Sequence, residues 1–173
     1  NNNNFKNNLN IAWGNDKYMK KQSYPLWYME LQSLGLNFRL TDIQASLAIS
    51  QLKRAKNGIL KRRQIARKYI SELSKISEIK IRNLDIENHA FHLFVIEIDE
   101  RSELYYFLRN NGIYCQIHYF PLHLMPLYKK NNGFKLVNAE DYYSKCLSLP
   151  MFPSIKEFEI NFVINKILEF YDK

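Results

Sequence analysis

The residue types and spacings nearest to a reactive cluster in this sequence are His118, Tyr119 and, beyond a proline, His123. An imidazole changes charge near neutral pH and a phenol both donates and accepts a hydrogen bond, so the trio is equipped for proton handling or polar recognition. It falls at the end of a strand-like run and in the loop after it, where scaffolds place reactive groups. The competing reading is a half-buried structural pair. Asn37 and Arg39 form a second candidate, because they precede Thr41, where a helix is expected to begin. An amide and a fixed cation beside the positive end of a helix suit a phosphate, although a lone Arg before a helix is commonly a surface residue. His89 and His92 lie inside a strand-like run and read as packed or edge residues.

Other chemistries find no support. There is no Gly-rich phosphate loop, HExxH helix, nucleophile elbow or convincing carboxylate pair. Cys115 and Cys146 form no CxxC and join no Cys/His cluster at metal spacing, which fits a reduced, cytoplasmic protein without a metal centre. No apolar run of about 18 residues is present to span a membrane.

Stepping the candidates into elements, Thr41 and Gln44 have the spacing of a capping box. Behind them Ile43, Leu47, Leu52, Ala55, Ile59, Ala66, Tyr69, Ile70 and Leu73 recur at three- and four-residue steps, which predicts one long amphipathic helix over 41–73. Gly58 falls mid-helix, where a kink or break is expected. His89 to Asp99 reads as a strand, and Glu103 to Asn111 as a helix closed by Gly112. In Ile113 to Tyr119, the side chains of Ile113, Cys115 and Ile117 alternate with Tyr114, Gln116 and His118, a half-buried strand. Asn138 and Asp141 open a short helix through Cys146. Pro150 and Pro153 bound an extended link, and Ser154 with Glu157 is expected to cap a terminal helix bearing Ile155, Phe158, Phe162, Val163, Ile167 and Phe170 or Tyr171. The stretch from Tyr24 to Leu34 carries no clear period, and Asn1 to Asn10, with seven Asn in ten residues, has none.

Composition sets the frame. With 46% apolar and 14% aromatic residues the chain is globular, and its net charge of +8 favours a polyanion in general. Eight of the sixteen residues from Lys53 to Lys68 are basic. Because they interleave with apolar residues at helical spacing, a solvated helix face is the better reading and a nucleic-acid surface the weaker one.

Four ordered segments then resemble one family. Leu34 to Leu52, LGLNFRLTDIQASLAISQL, is similar to the LGYNYRxTDIQAALGxxQL signature of the DegT/StrS sugar aminotransferases, and YPLWYMELQ before it resembles the adjoining segment. HAFHLFVI resembles the family's WHLYV strand. NNGIYCQIHYFPLHLMPLY and AEDYYSKCLSLPMFPS resemble NGIGVQVHYxPVHLQPYY and AExYYxxxLSLPLFP. The resemblance implies an α/β chain of fold-type I, PLP-dependent and homodimeric, with active sites between subunits. It implies that Asn37 reaches the PLP phosphate of the partner subunit, that Arg39 faces the phosphates of a nucleotide sugar, and that His118 and Tyr119 lie near the substrate. The reaction implied is amino transfer, with glutamate as donor, to a 4-keto nucleotide sugar. WYMELQ leans to the branch acting on UDP-linked 4-keto-6-deoxy-N-acetylhexosamines, as in pseudaminic acid synthesis.

One departure shapes the expectation. The family's Schiff-base lysine lies in segments resembling HPxKxxTxGEGG, which precede the part matched here, and no lysine in this sequence has such surroundings. The chain therefore reads as a remnant of the large PLP-binding domain (1–40), a long interdomain helix (41–75) and a C-terminal small α/β domain (76–173). No catalytic residue is assigned, no PLP is expected to bind this chain specifically by itself, and the partner expected is a second copy or a complementary N-terminal half. A dimerising or regulatory remnant and a basic nucleic-acid-binding domain are the rival readings.

Overall fold

The computed structural model describes residues 24–31, 34–35, 39–82, 85–129 and 135–172. Helix α1, Asp42–Leu73, begins where the sequence places it. The Gln44 N–H donates to Thr41 Oγ1 at 3.3 Å and the Thr41 N–H donates to Gln44 Oε1 at 2.9 Å, which satisfies two donors that a helix start otherwise leaves open. The expected break at Gly58 does not occur. The helix runs through it, and an added Cβ would meet Pro153 Cγ at 3.6 Å, an ordinary van der Waals distance.

Ile65, Ala66, Tyr69 and Leu73, at three- and four-residue steps, bury the second half of α1. That half packs against α5, Glu157–Tyr171, which also lies against α2, Arg101–Asn110. A two-stranded antiparallel sheet joins β1, Phe94–Glu97, to β2, Cys146–Leu149, with Phe94 opposite Leu149 and Glu97 opposite Cys146, and β2 lies against α2. Single bridges extend the ladder at both edges, Lys80 with Glu97 and Gln116 with Ser148. Helix α3, Pro126–Lys129, and α4, Val137–Lys145, complete the elements, and α4 sits against β1. One core runs through α1, α2, α4, α5 and both strands. It reaches back to Trp27, whose indole N–H donates to the Tyr143 hydroxyl at 3.2 Å, and to Tyr28, whose ring meets Phe120 edge-on at 5.1 Å, so aromatic contacts anchor the stretch without a period.

Several expectations change. The strand anticipated over 89–99 is paired only from Phe94 to Glu97, because Phe91 takes φ 48°, a left-handed conformation that ends an extended run. Ile113 to Tyr119 keeps the anticipated alternation, with Ile113, Cys115 and Ile117 buried, but meets β2 at one bridge and forms no strand. The residues after α4 form β2, where a helix end and a link were expected. Helix α4 starts at Val137 without a side-chain cap from Asn138. At the last helix it is Glu159, not Glu157, that accepts from the Lys156 N–H, at 2.7 Å, while Glu157 pairs with Lys68. The buried face of α5 is Ile160, Val163, Ile164 and Ile167, and Phe158 and Phe162 are exposed. Helix α2 agrees with its sequence signals, and Gly112 behind it has the positive φ, 78°, that glycine adopts without a Cβ clash.

Two buried charges are held differently. Glu97 meets Arg82, whose Nη2 donates to Oε2 at 3.1 Å. Arg101 has no carboxylate against it among the described residues; its Nη1 donates to the Tyr143 carbonyl at 2.7 Å and its guanidinium lies over the Trp27 and Tyr143 rings at 4.9 and 5.3 Å.

Candidate functional site

His118 is positioned by the bridge that precedes it. The Gln116 N–H donates to the Ser148 carbonyl at 3.1 Å and the Ser148 N–H returns to Gln116 at 2.8 Å, which brings the next polar side chain of the run beside β2. There His118 Nδ1 lies 2.8 Å from Ser148 Oγ. The hydroxyl donates when Nδ1 is bare and accepts when it is protonated. Burial, and then the charge of nearby His92, hold the His118 imidazole below its ordinary value of 6.5, so the ring is neutral at neutral pH. Tyr119 is exposed and meets the His118 ring edge-on at 4.7 Å. A neutral imidazole backed by a hydroxyl, beside an open phenol, presents hydrogen-bonding groups to a polar ligand.

His123 does not join them. Its Nε2 lies 3.1 Å from Glu140 Oε1, and that bond holds the Glu140 carboxyl below the usual carboxylate range, so His123 ties the loop to α4. The trio thus divides into a pair beside β2 and a histidine bound to α4. Arg39 stands exposed two residues before Thr41, and no described contact links it to His118 or Tyr119. Asn37 lies outside the described residues.

The basic run holds what sequence reasoning missed. Arg62 Nη1 donates to the carbonyls of Phe91, His92 and Met151 at 3.1, 3.2 and 2.8 Å, and Arg63 Nε donates to the His89 carbonyl at 3.0 Å. Arg67 pairs with Glu87 and Lys68 with Glu157. Arg62, Arg63 and Arg67 fasten 87–92 to α1 and Lys68 ties α1 to α5, so the solvated-face reading holds for Lys53, Arg54, Lys56 and Lys61 and fails for their neighbours. The signal was available, since Arg62 lies three and four residues before Ile65 and Ala66, on the face that becomes buried. The fastening holds a costly conformation: a non-glycine residue at positive φ costs about 1–3 kcal/mol. His89 contributes too, accepting from the Phe91 N–H at 3.0 Å and meeting its ring at 4.4 Å, but it is exposed and lies outside the strand, where a packed or edge strand position was expected. His92 is exposed and lines a groove of about 680 Å³ between α1 and the turns at 90–92 and 153–154.

Residues 11–168 match the DegT/DnrJ/EryC1/StrS aminotransferase family. The chain belongs to that family. Among its relatives, the spore coat polysaccharide biosynthesis protein SpsC of Bacillus subtilis is 34% identical over 82% of this chain and 39% of its own length. The UDP-4-amino-4,6-dideoxy-N-acetyl-beta-L-altrosamine transaminase of Campylobacter jejuni is 33% identical over 86% of this chain and 41% of its own. The crystal structure of a DegT DnrJ EryC1 StrS aminotransferase from Brucella abortus superposes with a TM-score of 0.71 at 29% identity, covering 95% of this chain and 42% of that one. The chain spans about two-fifths of the length of the curated relatives it matches.

The family is PLP-dependent, and its cofactor requires a lysine for the imine and donors for the phosphate. Lysines whose exposure is described all reach solvent; Lys68, Lys145 and Lys166 are engaged with carboxylates and Lys61 stands at the groove rim. None has the enclosed setting an imine needs, so the described residues fit phosphate or substrate contact and do not fit the imine role. Among them no cluster of three His, Cys, Asp or Glu side chains forms a metal site, and no helix is long and apolar enough to cross a membrane.

Proposed function

We propose that these residues serve as the C-terminal part of a PLP-dependent aminotransferase that converts a UDP-linked 4-keto-6-deoxy sugar to its 4-amino sugar, with glutamate as amino donor. The observation that carries the reading is the His118–Ser148 pair beside exposed Tyr119, set at a sheet edge of a chain that belongs to a sugar aminotransferase family. The pair supplies a neutral acceptor and a donor to sugar oxygens. Arg39 contributes a cation to the nucleotide phosphates, and Asn37 an amide to the PLP phosphate. When bound, PLP supplies the electron sink for amino transfer; this chain's residues orient the substrate. The exposed apolar face of Ile43, Leu47 and Leu52 supports association with a second copy or with a complementary N-terminal half. The organisation proposed is a large-domain segment to residue 40, an interdomain helix to 75 and a small domain beyond.

The test is co-expression with an N-terminal half of SpsC that supplies the lysine-bearing segment, followed by assay with PLP, glutamate and a UDP-linked 4-keto sugar. Amino-sugar formation is expected from the pair and not from the 173-residue chain alone, where borohydride traps PLP only as scattered lysine adducts. Arg39→Ala should raise the substrate KM, through a charge-assisted contact worth about 1.5–3 kcal/mol, and Asn37→Ala should weaken PLP retention. A stable, PLP-loaded pair that aminates no nucleotide-linked keto sugar would overturn the assignment.

A further inference from the structure

Arg101 sits where a cation gains least. It is the first residue of α2, at the positive end of the helix, it is 3% exposed, and no carboxylate meets it among the described residues. Its Nη1 donates to the Tyr143 carbonyl, while Nε has no hydrogen-bond partner among them. A buried cation so placed is costly unless electron-rich groups surround it. Two aromatic faces do so, Trp27 at 4.9 Å and Tyr143 at 5.3 Å. Trp27 comes from the 24–31 segment, distant in sequence, and its indole N–H donates to the Tyr143 hydroxyl at 3.2 Å. One of the two faces is therefore present only while this segment is docked.

The same segment grips the loop behind His118. The Phe120 ring makes edge-on contacts with Tyr28 of the segment, at 5.1 Å, and with Tyr143, at 5.4 Å, and Phe120 directly follows Tyr119. Further on, the Leu127 N–H donates to the Leu31 carbonyl at 3.1 Å. The segment thus holds the loop near both ends, and His123 with Glu140 ties its middle to α4. We propose that Trp27 and Arg101 are positioning residues: their contact seats the 24–31 segment as a strap, and the strap sets the place of His118 and Tyr119 through Phe120. A cation over a ring is a directional contact where apolar burial is not, so it selects one seat for the segment. This role rests on the reading of His118 and Tyr119 as substrate contacts and deepens it; its test reads order and titration in place of turnover, so either can fail without the other.

The experiment is amide hydrogen exchange of the 173-residue chain, read by mass spectrometry, with NMR titration of the His118 imidazole, in Trp27→Leu, Trp27→Phe and Arg101→Met. Trp27→Leu and Arg101→Met should each speed exchange about tenfold in 24–31 and in 118–127, the scale of one desolvated cation–ring contact, and leave α5 protected. Looser packing relieves the burial that lowers the His118 titration midpoint, so the midpoint should rise towards 6.5 in both. Trp27→Phe keeps a ring face for Arg101 and should retain most of the protection. Arg101→Met replaces a buried cation by an apolar chain, and if Trp27 were only apolar filling, that change would leave the strap seated. Unchanged exchange of both segments in Arg101→Met therefore overturns the proposal. So does faster exchange confined to 24–31 with the His118 midpoint unmoved, which would make the segment a passive cover. A rise throughout the chain, α5 included, also overturns it, because Trp27 would then be an ordinary core residue.

Discussion

The two halves of α1 have the same apolar period and share one basic run, yet the structure uses them in opposite ways. From Asp42 to Asn57 nearly every side chain is exposed, including Ile43, Leu47 and Leu52 at 77%, 62% and 71%. From Gly58 to Leu73 the same spacing buries Ile65, Ala66, Tyr69 and Leu73, and the arginines between them bind backbone carbonyls and carboxylates of the 87–92 segment. The difference teaches that a helical period marks a face made to be covered, while coverage depends on what the rest of the chain brings to it. Basic residues obey the same logic. A cation is solvated where nothing approaches and becomes a structural donor where a bent segment offers its carbonyls.

The contrast breaks most readily at the apolar positions. Leu73→Ala should cost about 2–5 kcal/mol in urea unfolding, the range for a buried leucine. Leu47→Ala should stay within about 0.5 kcal/mol, as for exposed sites. If Leu47→Ala proves as costly as Leu73→Ala, and the cost fades on dilution, the first half is covered by self-association in solution.

A smaller effect is expected from the cations. Arg62→Met should destabilise by about 2–3 kcal/mol, because it strips a charged donor from carbonyls that hold Phe91 at positive φ. Lys56→Met, on the exposed half, should leave the unfolding midpoint unchanged. Equal midpoints for the two variants would show that 87–92 needs no fastening.

At the junction of the halves, Gly58→Ala should stabilise by about 0.5–1 kcal/mol, since an unbroken helix gains from the lost chain entropy and the added methyl meets Pro153 at ordinary distance. Destabilisation in the same melt would mean that α1 and Pro153 sit closer in solution.

The smallest effect concerns pH. A histidine held below its unfolded value is neutral in the fold while the unfolded chain still binds the proton, so stability rises with pH through the interval just below 6.5. His118→Gln should flatten that rise in melts taken from mildly acidic to neutral pH. An unchanged slope in His118→Gln removes His118 as its source.

Much of this architecture was legible because its causes are local. Thr41 and Gln44 cap each other across one turn, Gly112 closes α2 through its own φ, and the period of α1 is written in a single stretch. The family was legible in ordered motifs from Tyr24 onwards, and those motifs carried Arg39, His118 and Tyr119 as candidates. Tertiary structure alone decided the rest, because it depended on residues far apart in sequence. The short sheet exists through the register of Phe94 with Leu149, and β2 has no period that marks it apart from a link. His118 found its partner in Ser148, thirty residues away, and His123 was claimed by Glu140. Arg62 and Arg63 differ from Arg54 and Lys61 only in what folds back upon them. A sequence states which groups a helix face can offer; the fold decides which are spent on its own backbone and which stay open to a ligand.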